Sequence, residues 1–536
     1  MLTDFRHHPE AAETPADICV IGAGAAGVTL ARRLMHAGRD VILLESGGTD
    51  FEAATQELYR GANIGLPYYP LDEARLRFFG GTVSIWGGRA ALFDPIDFER
   101  RAWVPHSGWP FGRAELDPWY REAHRDFELG EFDYGEGDAW ATLGLKDPGF
   151  DPARLATRLW RFDEATERFA ASRAKDLIAA PNVRILTNAN VVRLQATPQA
   201  NGVTHAEVCA LGGGPSRTVA ARQFVLACGA IENARLLLVS RDVEPHGIGN
   251  ARDQVGRFFM EHPTGRIGKV ETAAPADLWA LFQKRFMKGG VPLAPLLRLS
   301  DAVQRERSAL NSIVTFKLQR DPRHGVALGN KLYHNLKHSL QPNRRGRALD
   351  HLYRGLRGWF HRTVREPLEH ARAKYAGAGL YLIVRGEQAP NPDSRVVLSD
   401  KHDALGNCRA DLDWQLGDLD KHTARVFAEV FDAELKRMGQ AGVTPSGWLD
   451  EPGTAWPVDP TIGNHPIAGY HMLGGTRIGS DPATSVVDAE CRVHGYANLW
   501  VAGSSTFATA GWANPTLTLV ALAIRLAERL AELPAD

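Results

Sequence analysis

The fold is decided by Asp17-Ile18-Cys19-Val20-Ile21-Gly22-Ala23-Gly24-Ala25-Ala26-Gly27. The apolar run Ile18 to Ile21 reads as a buried strand ending in a glycine-rich turn, and Ala25 to Ala37 follows as a helix with Leu30 and Leu34 on one face. Gly22 permits the tight turn, Gly24 lets a pyrophosphate approach the backbone, and Gly27 lets the helix pack closely on the strand. The phosphates are then expected at the positive helix end, beside Ala25 and Ala26. A second strand, Val41 to Leu44, runs into Glu45 and Ser46, and the Glu45 carboxylate is spaced to accept hydrogen bonds from a ribose 2′-hydroxyl and to disfavour a 2′-phosphate. A glycine turn that binds nothing is the competing reading, and strand, helix and acid in one unit argue against it.

Length and charge narrow what such a site can belong to. At 536 residues the chain exceeds a single hydrophobic core, and its 44% hydrophobic content is ordinary for a soluble enzyme, so two interleaved domains are expected. A formal net charge of −1 gives no ground for nucleic-acid binding. The five cysteines, Cys19, Cys209, Cys228, Cys408 and Cys491, are scattered without a Cys-x-x-Cys pair and read as buried or free thiols; no metal site is expected. Met1 to Ala16 lacks the apolar core of a signal peptide. The uncharged stretch Ala508 to Ile524 is too short, and too interrupted by Gly511, Asn514 and Pro515, to span a bilayer. The expectation is a soluble, cytoplasmic protein with no transmembrane segment, export bound to a signal-bearing partner being the alternative.

Two more strand-to-glycine turns lie far downstream. Gln223 to Ala227 leads into Cys228-Gly229 and a helix ending near Val239, while Leu499 to Gly503 precedes a final helix from about Pro515 to Leu530. Such pieces can join one sheet, with the intervening stretches as insertions that build a substrate domain. Between Arg266 and Asp459 the reading is mixed, with strands at Leu380 to Val384 and Ser394 to Leu398 and helical periodicity from Asp420 to Met438. Near the carboxy end, Tyr470-His471-Met472-Leu473-Gly474-Gly475-Thr476-Arg477 and Gly511-Trp512-Ala513-Asn514-Pro515 supply an imidazole and an amide suited to work on an alcohol.

On these segments the chain resembles the glucose-methanol-choline (GMC) family of flavoprotein oxidoreductases over nearly its whole length. The other matching stretches are Phe79-Gly80-Gly81-Thr82-Val83-Ser84-Ile85-Trp86-Gly87-Gly88, Val225 to Leu237, Gly256-Arg257-Phe258-Phe259-Met260-Glu261-His262-Pro263, and Asn514 to Thr518. The resemblance is greatest to the branch of pyranose oxidases, fructose dehydrogenases and glycoside-oxidising enzymes. It implies an α/β fold: a Rossmann-like FAD-binding domain assembled from residues 1–265 and 470–536, plus a substrate domain over 266–469 with a mixed or antiparallel sheet and a basic helical insertion at about 338–375. It also implies FAD, held by Gly22, Gly24, Ala25, Ala26, Gly27, Glu45 and Ser46, with the flavin beneath Gly81, Thr82, Trp86, Gly87 and Gly88. Val192, Cys228, Gly229, Gly503, Asn514, Pro515 and Thr516 complete the implied cofactor set. Where pyranose oxidases can carry a flavin-linking histidine before the tryptophan, this chain has Ile85, so non-covalent FAD is expected. Ile478 replaces the family's usual methionine, a change conservative in volume.

Within that resemblance His471 aligns with the catalytic base and Asn514 with the partner that hydrogen-bonds the same substrate oxygen. An imidazole, with an ordinary pKa of about 6.5, can take the hydroxyl proton while the flavin accepts a hydride, giving oxidation of a sugar or glycoside hydroxyl to a carbonyl. Rival readings exist for both: a core histidine satisfied by backbone, and an Asn-Pro helix start in which the amide merely caps. His262 and His465 read as structural, and Trp86 and Trp512 as pocket wall or as core. An aryl or other alcohol, a non-redox lyase of the same family, and an FAD-binding scaffold without turnover are the functional alternatives.

Arg344 to Arg365 stands apart, with seven arginines interleaved with Leu352, Tyr353, Leu356, Trp359 and Phe360. It reads as a basic amphipathic helix, either packed by its aromatics onto the substrate domain or docking to a membrane surface, a small accessory subunit or an acidic electron-accepting partner. Oxygen, a quinone or a protein is expected to reoxidise the flavin.

Overall fold

The computed structural model describes residues 1–165, 167–214, 216–287, 290–319, 342–360, 379–459, 462 and 467–534. The strand Ala16–Ile21 lies inside an eight-stranded sheet, between Val41–Leu44 and Arg217–Leu226, with Val183–Thr187 and Leu2–Asp4 beyond the former. All these neighbours are parallel, with Ile18 opposite Val41 and Cys19 opposite Phe224. Strands buried on both faces need apolar residues at every position, which is why they appear in the sequence as unbroken apolar runs. Leu499–Val501 pairs in parallel with the carboxy half of Arg217–Leu226, placing Trp500 opposite Val225, so pieces from three distant parts of the chain share one sheet. The amino half of the same strand pairs antiparallel with Val203–Cys209, which pairs in turn with Asn190–Ala196.

Helix Ala25–His36 packs against the final helix, Thr516–Ala531. Close approach at the first of these depends on Gly27, where an added Cβ would fall 1.8 Å from the Gly22 carbonyl oxygen. Gly22 itself has φ +104°, a conformation that side chains resist.

A second sheet has seven strands, all antiparallel, in the order Gly442–Pro445, Thr264–Glu271, Gly379–Arg385, Ile313–Gln319, Leu293–Leu299, Leu155–Phe162 and Arg89–Ala90. Two of its strands, Arg89–Ala90 and Leu155–Phe162, come from before residue 265. Arg395–His402 forms a separate hairpin with Cys408–Asp413, and helix Asp418–Arg437 packs beside Gly442–Pro445.

The basic segment is helical over Arg344–Phe360, and its continuation to Arg365 lies outside the described residues. Among its described side chains the apolar ones face outward. Arg347 points inward and pairs with Asp50 at 2.8 Å and with Glu167, whereas Leu349, Leu352, Leu356 and Trp359 are more than half exposed. Among the described residues no helix is long and apolar enough to cross a membrane.

Candidate active site

A cavity of about 1170 Å³ opens at the carboxy ends of the parallel strands, where Ile21, Leu44, Ala227 and Ala502 line it. Its wall at one end is the glycine turn: Gly22, Gly24, Ala25, Ala26, Glu45 and Ser46. Helix Ala25–His36 has no side-chain cap, so its first N–H groups are left for a ligand, and a Cβ on Gly24 would meet nothing within 4 Å. Glu45 accepts from the backbone N–H of Ala23 at 2.9 Å and of Gly47 at 2.8 Å, and from the Ser46 hydroxyl at 3.3 Å. A carboxylate offers about four acceptor sites, which leaves one for a ribose hydroxyl. Burial pushes its pKa up.

Further along, the wall is formed by Gly81, Thr82, Trp86, Gly87, Cys228, Gly229 and Gly503, and then by Asn514, Pro515, Thr516 and His471. Three expected cofactor contacts are off this wall. Gly27 packs helix on strand; Gly88, with φ +70°, would bring a Cβ 2.0 Å from the Asp163 carbonyl oxygen; and Val192 is replaced on the wall by its neighbour Val191. Trp512 is buried and donates to Asp94 at 2.7 Å, a core role, while Trp86 does line the cavity.

The candidate imidazole and amide meet where two distant segments form an antiparallel bridge. Met260 pairs with Leu473, which sets His262 opposite His471. The two Nδ1 atoms are 2.8 Å apart; His262 Nε2 lies 3.2 Å from the Ala510 carbonyl oxygen, and His471 Nε2 lies 2.8 Å from Asn514 Nδ2. A carbonyl only accepts, so His262 carries its proton on Nε2 and its Nδ1 must accept. His471 therefore donates from Nδ1 and keeps a lone pair on Nε2, directed at Asn514. This tautomer follows from the hydrogen-bond network. The Asn514 amide makes no helix cap and turns to His471 instead.

Burial lowers His262 to about 4 and holds His471 well below the ordinary histidine range, with the charges of His262, Arg385 and Arg89 adding to the effect on His471. Glu261 fixes the loop from beneath. Its buried carboxylate accepts from Tyr68 Oη at 2.6 Å and from the backbone N–H groups of His262 at 2.9 Å, Gly469 at 3.1 Å and His471 at 2.7 Å. Burial raises it to about 7 against these four donors. Gly469 is needed here, since a Cβ would come 3.0 Å from His471 Nδ1.

Sequence reasoning singled out His471 and Asn514, which the structure brings together, and did not anticipate the contact of His262 with His471 or the nearby Glu261, Arg89 and Arg385. The signal available was a polar Glu261-His262 pair directly after the apolar Phe258-Phe259-Met260. His465 lies outside the described residues.

An elongated cavity with two helix amino ends and an acid at one extremity suits a dinucleotide that carries a redox ring, and residues 17–264 match the family model described as FAD dependent oxidoreductase. The protein is an FAD-dependent oxidoreductase. Residues 390–523 match the model described as GMC oxidoreductase, and the chain belongs to that family. It is 25% identical to the fructose dehydrogenase large subunit of Gluconobacter japonicus, over 96% of this chain and 97% of that one. It is 28% identical to paromamine 6'-oxidase of Streptomyces fradiae, over 96% and 91%. Among solved structures it shares its fold with pyridoxine 4-oxidase from Mesorbium loti, at a TM-score of 0.53 and 19% identity, covering 96% of this chain and 99% of the other.

Proposed function

We propose that the protein oxidises a hydroxyl-bearing carbon of a sugar or glycoside to a carbonyl, with His471 as base and Asn514 orienting the substrate oxygen. The supporting observation is the His471 Nε2 to Asn514 Nδ2 contact of 2.8 Å on the wall of the cavity that begins at the glycine turn. Relatives named for fructose and paromamine favour a sugar-like substrate.

Oxidation removes a proton from oxygen and a hydride from carbon. FAD, when bound, supplies the hydride acceptor. A substrate hydroxyl entering between His471 and Asn514 takes the place of the Asn514 N–H and donates its proton to the lone pair of His471 Nε2, while the Asn514 amide donates to the substrate oxygen and fixes its position. Held neutral by burial, the imidazole is ready to act at neutral pH and below it. Cofactor binding falls to Gly22, Gly24, Ala25, Ala26, Glu45, Ser46, Gly81, Thr82, Trp86, Gly87, Cys228, Gly229, Gly503, Pro515 and Thr516, with Gly27 and Gly88 shaping the backbone behind them. In this reading residues 1–265 and 470–536 mainly serve the nucleotide, lending Arg89–Ala90 and Leu155–Phe162 to the second sheet and His471 and Asn514 to the substrate, and 266–469 supply the rest of the substrate domain; Ile85 leaves the flavin unattached, so acid precipitation releases it into the supernatant.

The test is anaerobic mixing of the FAD-loaded enzyme with sugars, glycosides and aryl alcohols. Bleaching of the yellow flavin by one of them, lowered about 10² to 10⁴-fold in rate by His471→Ala at unchanged FAD content, supports the reading. Full-rate bleaching in His471→Ala removes it.

A further inference from the structure

Near His471 two cations meet no neutralising carboxylate among the described residues: Arg89, on the cavity wall, and Arg385, which is not part of that wall. Arg89 lines the same cavity as His471 and Asn514, and its guanidinium carbon lies 5.2 Å from the Trp160 ring centre and 5.7 Å from that of Phe162. Arg385 ends the strand Gly379–Arg385, where it faces Thr264 on one side and Ile313 on the other, close in sequence register to His262. Among the described residues neither guanidinium has a hydrogen-bond acceptor or a carboxylate partner. Other buried arginines are different: Arg75 and Arg77 share Glu232, Arg101 grips Glu387, and Arg298 reaches Asp94.

Arg89 and Arg385 act on each other and on His471 as like charges, and burial pushes Arg89 down to about 10. An unpaired charge withdrawn from water weakens a fold. The faces of Trp160 and Phe162 offset part of this for Arg89 while leaving its N–H groups unused. A planar fork of donors matches a carboxylate or phosphate, which it can hold through two parallel hydrogen bonds.

The geometry points to an oxyanion subsite in which Arg89 receives a carboxylate or phosphate carried by the hydroxylated substrate, with the charge of Arg385 adding to its pull and the reacting hydroxyl held at His471. This rests on the oxidation proposed above and narrows its substrate to acidic sugars and related hydroxylated anions; no bond is made or broken at the subsite. A neutral sugar leaves the Arg89 fork unsatisfied, and a cationic alcohol adds a third positive charge, so both are disfavoured.

The test uses the FAD-loaded enzyme in two ways: calorimetric titration with sodium acetate and with inorganic phosphate, and anaerobic reduction with glucose, glucuronate and glucose 6-phosphate. The expected result is binding of at least one anion, with a dissociation constant raised about tenfold or more by Arg89→Gln and by Arg385→Gln and less by the corresponding lysine variants. The acidic sugar is expected to exceed glucose in kcat/KM by about a hundredfold, an advantage lost in the double glutamine variant. Preference for acetate assigns a carboxylate, and preference for phosphate assigns a phosphoryl group.

Absence of binding by either anion overturns the subsite even where alcohols bleach the flavin, as does unaltered affinity in both glutamine variants. Loss of bound FAD in Arg89→Gln, with anion affinity unaltered in Arg385→Gln, overturns it by giving the guanidinium to the cofactor. Anion binding that needs both arginines, in an enzyme no alcohol reduces, keeps the subsite and removes the oxidation reading instead. Should the glutamine variants fail to fold, the lysine variants and the wild-type titration still decide.

Discussion

Both ends of the cavity are rich in arginine, and they treat charge in opposite ways. Toward Glu45, the Glu232 carboxylate is shared by Arg75 at 2.9 Å, Arg77 at 3.3 Å and Arg235 at 3.3 Å, all with little solvent exposure. The three cations lower Glu232 to about 2, overcoming the effect of burial. Toward His471, Arg89 and Arg385 meet no carboxylate among the described residues. A paired guanidinium holds loops together, whereas an unpaired one is kept for something that arrives from outside.

Stability measurements put most strain on this contrast. Glu232→Ala strands Arg75 and Arg77, leaves Arg235 only Asp403, and is expected to cost about 3–5 kcal/mol in chemical denaturation. Arg385→Leu removes a charge that has no partner, and the same experiment should find it unchanged within about 1 kcal/mol or more stable. Equal losses in the two variants would erase the distinction.

Acid provides the next test. His262 is neutral in the fold, with a pKa of about 4 against an ordinary 6.5. The unfolded chain gains a proton below pH 6.5 that the folded chain refuses, so stability is full above that pH and declines by up to roughly 3 kcal/mol as pH drops toward 4. In His262→Phe this acid-dependent loss shrinks. The same variant deprives His471 Nδ1 of its acceptor, and kcat is expected to fall about 10 to 100-fold with KM little changed, because only the imidazole tautomer is released. An unchanged pH–rate profile would reduce His262 to packing.

The smallest effect is expected at Gly24 in the glycine turn. A methyl group on Gly24 meets only the cavity, so Gly24→Ala should leave the apoprotein melting point within about 1–2 °C while weakening FAD binding about tenfold. Gly27→Ala, blocked at 1.8 Å by the Gly22 carbonyl, should instead fail to fold.

What could be read from the sequence was whatever is local. Gly22, Gly24, Gly27 and Glu45 belong to one strand-turn-helix-strand unit, and the apolar runs at Leu499 and Phe224 announced buried parallel strands. His262 escaped because its meaning depends on a bridge to Leu473, 213 positions beyond Met260, and no pattern within a segment encodes such a partner. The same holds for Leu155–Phe162, which completes the second sheet by pairing with Leu293–Leu299. Val191 displaced Val192 on the cavity wall through the pleat of one strand, where a single step changes the face. Of the two readings of the basic arm, packing by its apolar side chains is not what its described residues show, because Leu352, Leu356 and Trp359 are exposed and Arg347 turns inward in their place.

That arm leaves the enzyme with a clasp. Pro342, Gly346 and Arg347 border the Glu45 end of the cavity, and the clasp is fastened by ion pairs to Asp50 and Glu167, two carboxylates that water still reaches. Electrolyte weakens such fastenings within a Debye length of about 10 Å at 0.1 M, yet leaves apolar packing intact. Ionic strength thereby becomes a handle on how readily the prosthetic group comes and goes, separate from the endurance of the scaffold around it.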